Sequence, residues 1–156
     1  MARAFVGLGS NLGDREENLR RALARLGELP GTVVVAVSRL RDTEPVGIRD
    51  QPRFLNGAAE LETSLDAREL LDALLRIERE LGRDRAGVPS GGPRTIDLDL
   101  LVYDDLQLAD PSLELPHPRL AERRFVLEPL ADLDPGLEVP GHGTVETLWA
   151  ELDSSP

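Results

Sequence analysis

The segment Gly92-Pro93-Arg94-Thr95-Ile96-Asp97-Leu98-Asp99-Leu100-Leu101 gathers residue types suited to phosphate chemistry. In an extended strand alternate residues share a face, so Asp97 and Asp99 point one way with Cα atoms about 6.5–7 Å apart. Ile96, Leu98 and Leu100 then point the other way. Two carboxylates so placed can hold hard, oxygen-seeking cations such as Mg²⁺, and a pair of such ions can clamp a phosphoryl group in transfer. A glycine-rich stretch carrying Arg83, Arg85 and Arg94 feeds this strand, and guanidinium forks match phosphate oxygens. The alternative is a solvated acidic face on a half-buried strand. Against it, the Asp97/Asp99 face continues as the apolar Leu101.

Other residues admit two readings each. Gly7-Leu8-Gly9-Ser10-Asn11-Leu12-Gly13 has the look of a nucleotide loop. Its G-x-G-x-x-x-G spacing is wrong for a dinucleotide fingerprint, and no Gly-Lys-Ser/Thr follows, so a tight strand-to-helix turn is the simpler assignment. Glu78 lies one position past Ile77, at the edge of an apolar helix stripe; it either reaches the sheet or pairs with an arginine on its own helix. His117 sits in the proline-framed Leu115-Pro116-His117-Pro118-Arg119, whereas His142 is flanked by glycines. With two histidines and no cysteine, a zinc site is not expected. Phe54, near Asn56, and Phe125, near Arg123, suit either a flat heterocycle or ordinary core packing.

The elements that must position these groups follow from periodicity. Arg3–Leu8 reads as a strand, Asp14–Leu26 as a helix with Asp14 as N-cap, and Thr32–Arg41 as a second strand. Thr43–Arg53 is a loop, Phe54–Glu62 a third strand, and Asp66–Leu81 a helix with Leu70, Leu74, Ile77 and Leu81 in one stripe. Arg83–Arg94 is a loop, expected to close over a bound triphosphate. Thr95–Tyr103 is a fourth strand, which Asp104-Asp105 turns into a short partner at Leu106–Leu108. Short helices near Arg119–Leu130 and Val145–Leu152 complete the chain. The order βαββαβ predicts an α+β fold: a ferredoxin-like core, an antiparallel sheet with helices on one face, plus a C-terminal extension. One domain spanning 1–156 is expected.

Composition narrows the field. The net charge is −11, which disfavours a polyphosphate partner, so no nucleic acid is expected. All 18 basic residues are arginine, which removes any Schiff-base or P-loop lysine. No apolar run is long enough to span a membrane, and no signal-peptide pattern opens the chain, so a cytoplasmic location is expected.

Four blocks in order resemble one family: Phe5–Gly13, Asp50–Asn56, Gly92–Asp99, and Leu115–Arg119 with Arg123–Leu130. It is the 6-hydroxymethyl-7,8-dihydropterin pyrophosphokinase family of folate synthesis. The resemblance implies transfer of an intact pyrophosphoryl group from ATP to the pterin hydroxymethyl oxygen, with AMP leaving. It implies that Asp97 and Asp99 bind two Mg²⁺, and that Arg83, Arg85 and Arg94 hold phosphates. His117 and Arg123 would also meet ATP, with Leu71, Glu78 and Leu100 near the adenosine. The pterin would stack between Phe54 and Phe125, bond Asn56, and be lined by the backbone near Thr43 and Val46. Gly91 stands where some members carry tryptophan. ATP and the pterin are the expected partners, and the expected state is a monomer. A ligand-sensing module on the same fold is the competing class, and it would not turn over ATP. An RNA-recognition module needs stacking aromatics and a basic sheet, which Thr95–Tyr103 and the net charge do not offer.

Overall fold

The computed structural model describes residues 1–43, 53–82 and 95–153. The chain runs β1 (Ala2–Ser10), α1 (Arg15–Gly27), β2 (Thr32–Val37), β3 (Arg41–Thr43), β4 (Phe54–Thr63), α2 (Ala67–Leu81) and β5 (Asp97–Tyr103). Then come β6 (Leu108–Asp110), β7 (Leu113–Leu115), a 3-10 turn (Leu120–Glu122), α3 (Arg124–Leu133), β8 (Glu138–Val139), β9 (Gly143–Thr144) and α4 (Val145–Asp153). The main sheet has the order β2-β4-β1-β5, all antiparallel, with β3 added to β4. That is the expected ferredoxin-like α+β arrangement.

Local chemistry sets the helix limits. The Asp14 carboxylate accepts the Glu17 N–H at 3.2 Å and starts α1, as the sequence predicts. Asp66 and Glu69 form a complete capping box at the start of α2, and Gly82 ends it by donating its N–H to the Glu78 carbonyl at 2.9 Å. The apolar stripes of α1 (Leu19, Ala22, Leu26) and α2 (Leu70, Leu74, Ile77) close on Ala4, Val6, Leu8, Leu98 and Leu100 to form the larger core.

Three expectations are corrected. The strand read over Thr32–Arg41 is two strands. Between them Ser38 Oγ accepts the Ala58 N–H at 2.9 Å and the chain crosses β4 at Gly57, where a Cβ would lie 2.7 Å from a Leu40 methyl. A side chain there would displace Leu40 and crowd Ser38 Oγ, 3.1 Å from the same Cβ position. The short strand read at Leu106–Leu108 lies at Leu108–Asp110 and pairs with β7, not with β5. Helices also occupy both faces of the sheet. A second core of Phe5, Ala58, Leu101, Val102, Leu127, Leu130, Val145 and Leu148 places α3 and α4 opposite α1 and α2.

Candidate active site

The face opposite α1 and α2 is where the polar candidates meet. β1 lies in register with both neighbours: Gly9 stands between Asn56 on β4 and Asp97 on β5, and Gly7 between Ala58 and Asp99. Directly opposed residues share a face, so these side chains border one surface with the two glycines as its floor. A Cβ on Gly9 would come within 2.7 Å of Asn56 Oδ1 and 3.5 Å of the Phe54 ring. The reading of Gly7–Gly13 as a turn therefore needs correction. Gly7 and Gly9 are strand residues that keep the floor open, while Gly13, at φ +72°, takes the turn. The i, i+2 spacing of the first two glycines is the signal that points to a shared strand face.

One wall comes from β3 and β4. Thr43 pairs with Phe54 and Arg41 with Asn56. Asn56 Nδ2 donates to Thr43 Oγ1, which leaves Oδ1 turned over Gly9. Phe54, Asn56 and Thr43 are all half-buried. The opposite wall is β5, where Asp97 and Asp99 are half-buried while Ile96, Leu98 and Leu100 are buried in the core behind them. The alternation predicted from the sequence is present. It ends at a bulge: Phe5 pairs with Val102 and Val6 with Leu100, so Leu101 is the inserted residue. Leu101 and Val102 both enter the second core as a result.

His117 joins this wall through its N–H, which donates to the Leu101 carbonyl at 2.9 Å. Its Nδ1 accepts the Arg119 N–H at 3.2 Å, so the neutral ring carries its proton on Nε2. Burial, then the charge of Arg123, holds the imidazole below its ordinary pKa. Asp97 and Glu114 pull the other way, and Arg119 adds to the lowering. Arg123 precedes α3, with its guanidinium 5.4 Å from the centroid of the Phe125 ring. Phe125 itself is half-buried in the first turn of α3.

Leu71 and Leu100 pack in the larger core on the α2 side of β5, and Glu78 meets β5 at the end of the sheet. Glu78 reaches the sheet, as one of its two readings required: its Oε2 accepts the Leu98 N–H at 2.8 Å. Val46, Arg83, Arg85 and Arg94 lie outside the described residues. Among the described residues no three metal-binding side chains cluster. Asp97 and Asp99 supply two hard oxygen donors on one face, a set that fits Mg²⁺, an ion that keeps several waters and takes phosphate oxygens as further ligands. A cleft at the other end of the same face is bordered by Arg3, Phe5, Asp104, Asp134 and Glu138. There Arg3 is already held by Glu60 and Asp134, at 2.9 Å each, and the acidic rim would repel a triphosphate.

Comparison with known proteins identifies the family. The 7,8-dihydro-6-hydroxymethylpterin-pyrophosphokinase (HPPK) family matches residues 5–135. The chain is 49% identical over 138 residues to the 2-amino-4-hydroxy-6-hydroxymethyldihydropteridine pyrophosphokinase of Pseudomonas aeruginosa, covering 88% of this chain and 84% of that one. It is 45% identical over 155 residues to the protein of the same name from Methylorubrum extorquens, covering 99% and 96%. Among solved structures, wild-type Plasmodium falciparum HPPK-DHPS with STZ-DHP aligns at a TM-score of 0.73 and 15% identity. That alignment covers 98% of this chain and 42% of the Plasmodium chain, and it supports the fold. Among the described residues no helix is long and apolar enough to cross a membrane.

Proposed function

We propose residue roles on one premise: the chain belongs to the 7,8-dihydro-6-hydroxymethylpterin-pyrophosphokinase family and transfers pyrophosphate from ATP to hydroxymethyldihydropterin in folate biosynthesis. The pterin hydroxymethyl oxygen bonds to the β-phosphorus and gives up its proton. The bond from that phosphorus to the oxygen bridging it to the α-phosphate breaks, and AMP leaves.

The row Asn56–Gly9–Asp97 carries the assignment. It sets an amide that reads a flat heterocycle and an acid that serves phosphate about 9–10 Å apart, two interstrand spacings, with a bare glycine between them. Asn56 Oδ1, fixed by the Thr43 bond, accepts hydrogen bonds from ring N–H groups of the pterin. Phe54 and Phe125 stack on its two faces, and the backbone near Thr43 and Val46 lines the pocket. Asp97 and Asp99 would hold Mg²⁺, two ions being expected, which when bound supplies charge neutralisation at the phosphate oxygens. Arg83, Arg85 and Arg94 grip phosphates by their guanidinium forks. His117 donates its Nε2–H to a phosphate oxygen, and Arg123 adds a positive charge. Glu78, Leu71 and Leu100, at the rim of β5, receive the adenosine.

The proposed working unit is a monomer in which residues 1–156 form one domain. The cytoplasm, which supplies ATP, is its proposed location. The decisive experiment identifies the nucleotide released from Mg²⁺, ATP and hydroxymethyldihydropterin. AMP should accumulate in step with pterin diphosphate. ADP would mean ordinary phosphoryl transfer, and binding without turnover would favour a sensing module.

A further inference from the structure

Arg41 makes a set of contacts that the chemistry above does not use. Its Nη1 and Nη2 bond both oxygens of Asp132, at 2.8 and 2.9 Å, and its Nε lies 3.1 Å from Glu128 Oε2. The side chain is only 19% exposed. Asp132 also accepts the Arg39 N–H at 3.3 Å, so one carboxylate of α3 holds both the crossing segment, at Arg39, and the start of β3, at Arg41.

This fork joins α3, which carries Phe125, to β3, which carries Thr43. On α3, Phe125, Glu128 and Asp132 are spaced i, i+3, i+7 and share one face. Phe125 therefore sits about 4.5 Å along the axis from Glu128. On the strands, Arg41 pairs with Asn56, and Thr43, about 6.6 Å further on, pairs with Phe54. Both lines leave the fork for the slot. Leu127 and Leu130 bury α3 in the second core, but apolar packing is non-directional and sets depth rather than lateral position. A bidentate guanidinium–carboxylate pair is directional. It also neutralises two acids that would otherwise repel one another.

We propose that Arg41 is a positioning residue for the pterin: its fork onto Asp132 and Glu128 sets the gap between Phe125 on α3 and the Phe54–Asn56–Thr43 wall, and thereby sets pterin affinity. The inference rests on the assignment of that slot to the pterin.

The test is steady-state kinetics of Arg41→Met, which keeps the length of the stem and loses the fork. KM for the pterin should rise tenfold or more, KM for ATP should stay within twofold, and kcat at saturating pterin should change little. Arg41→Lys, a point charge without a fork, should recover only part of the loss. Leu26→Ala, in the larger core on the opposite face of the sheet, controls for general destabilisation: it should lower the unfolding midpoint and leave the pterin KM unchanged. Should Arg41→Met fail to fold, Asp132→Asn takes its place, with pterin binding measured directly. An unchanged pterin KM with a lowered midpoint, or equal rises in both KM values, would overturn the inference. A parent enzyme that releases no AMP would instead overturn the functional reading on which it rests.

Discussion

The two faces of the sheet use the same strands for different ends. On the α1/α2 face, the side chains of Ala4, Val6, Leu8, Leu98 and Leu100 are buried against leucine and isoleucine, with the Glu78 carboxylate meeting the Leu98 N–H. On the other face the same strands present Gly7, Gly9, Asn56, Asp97 and Asp99 at one end, and Phe5, Ala58, Leu101 and Val102 at the other. Neighbouring residues on β5 thus alternate between stabilising the fold and serving the chemistry. The bulge at Leu101 is where that alternation stops and the second face becomes core. A strand buried on one side supplies a rigid platform for a site on the other, because each function has its own set of alternate positions.

That division predicts opposite phenotypes for adjacent residues. Asp97→Ala or Asp99→Ala should cut turnover by several orders of magnitude, since metal charge stabilisation is worth several kcal/mol, and should leave the unfolding midpoint intact. Turnover within about tenfold of the parent, roughly 1.4 kcal/mol of barrier, would remove the metal role. Leu98→Ala, between them, should cost about 2–5 kcal/mol of stability while activity per folded molecule falls far less. Urea unfolding and turnover measured on the same samples would separate the two. A Leu98 variant as inactive as the Asp variants would break the comparison.

The aromatic walls sharpen it. Phe54 and Phe125 are half-buried, unlike the fully buried Phe5. Phe54→Ala and Phe125→Ala should each weaken pterin binding by about 1–3 kcal/mol, the scale of base–aromatic stacking, and alter ATP-analogue affinity less. Isothermal titration with each ligand checks this. Equal losses for both ligands would return the rings to a packing role.

Much of this division is legible in the sequence. Period-two alternation over Ile96–Leu100 and the period-3.6 stripe of Asp66–Leu81 each reflect a single buried face, so local pattern and tertiary burial agree there. The site escapes where position depends on distant partners. Thr43 meets Asn56 only because the segment from Ser38 to Leu40 crosses Gly57, and no window around Thr32–Arg41 contains that information. Gly9 reads as a turn residue until the register puts it between Asn56 and Asp97. The contact of Glu78 with the Leu98 N–H likewise depends on how α2 packs beside β5, which the helical stripe alone does not set. The carboxylates of α3 that hold Arg41 are more than 80 residues away in the chain, so no local pattern links them to it.

The smallest expected effect concerns His117, where the polar end of the second face borders its core. The ring is half-buried, its Nδ1 accepts the Arg119 N–H, and burial first, then the Arg123 charge, disfavours its protonation against the pull of Asp97 and Glu114. Its pKa in the folded chain is therefore below the ordinary value of about 6.5 that it recovers on unfolding. Between the two values the unfolded chain binds more protons, so native stability is fully present above about pH 6.5 and is lost as pH falls toward the lower, folded value. His117→Gln removes the titration and keeps an acceptor for the Arg119 N–H. Its urea midpoint should fall less than the parent's between pH 7.5 and pH 5.5, by a difference smaller than the loss in Leu98→Ala. The measurement is made in EDTA, so that metal on Asp97 does not alter the field at the ring. Parallel pH profiles for parent and variant would show that His117 titrates alike in both states. The half-buried imidazole would then be solvated like an exposed one, and the boundary between the apolar and polar ends of this face would lie on the other side of it.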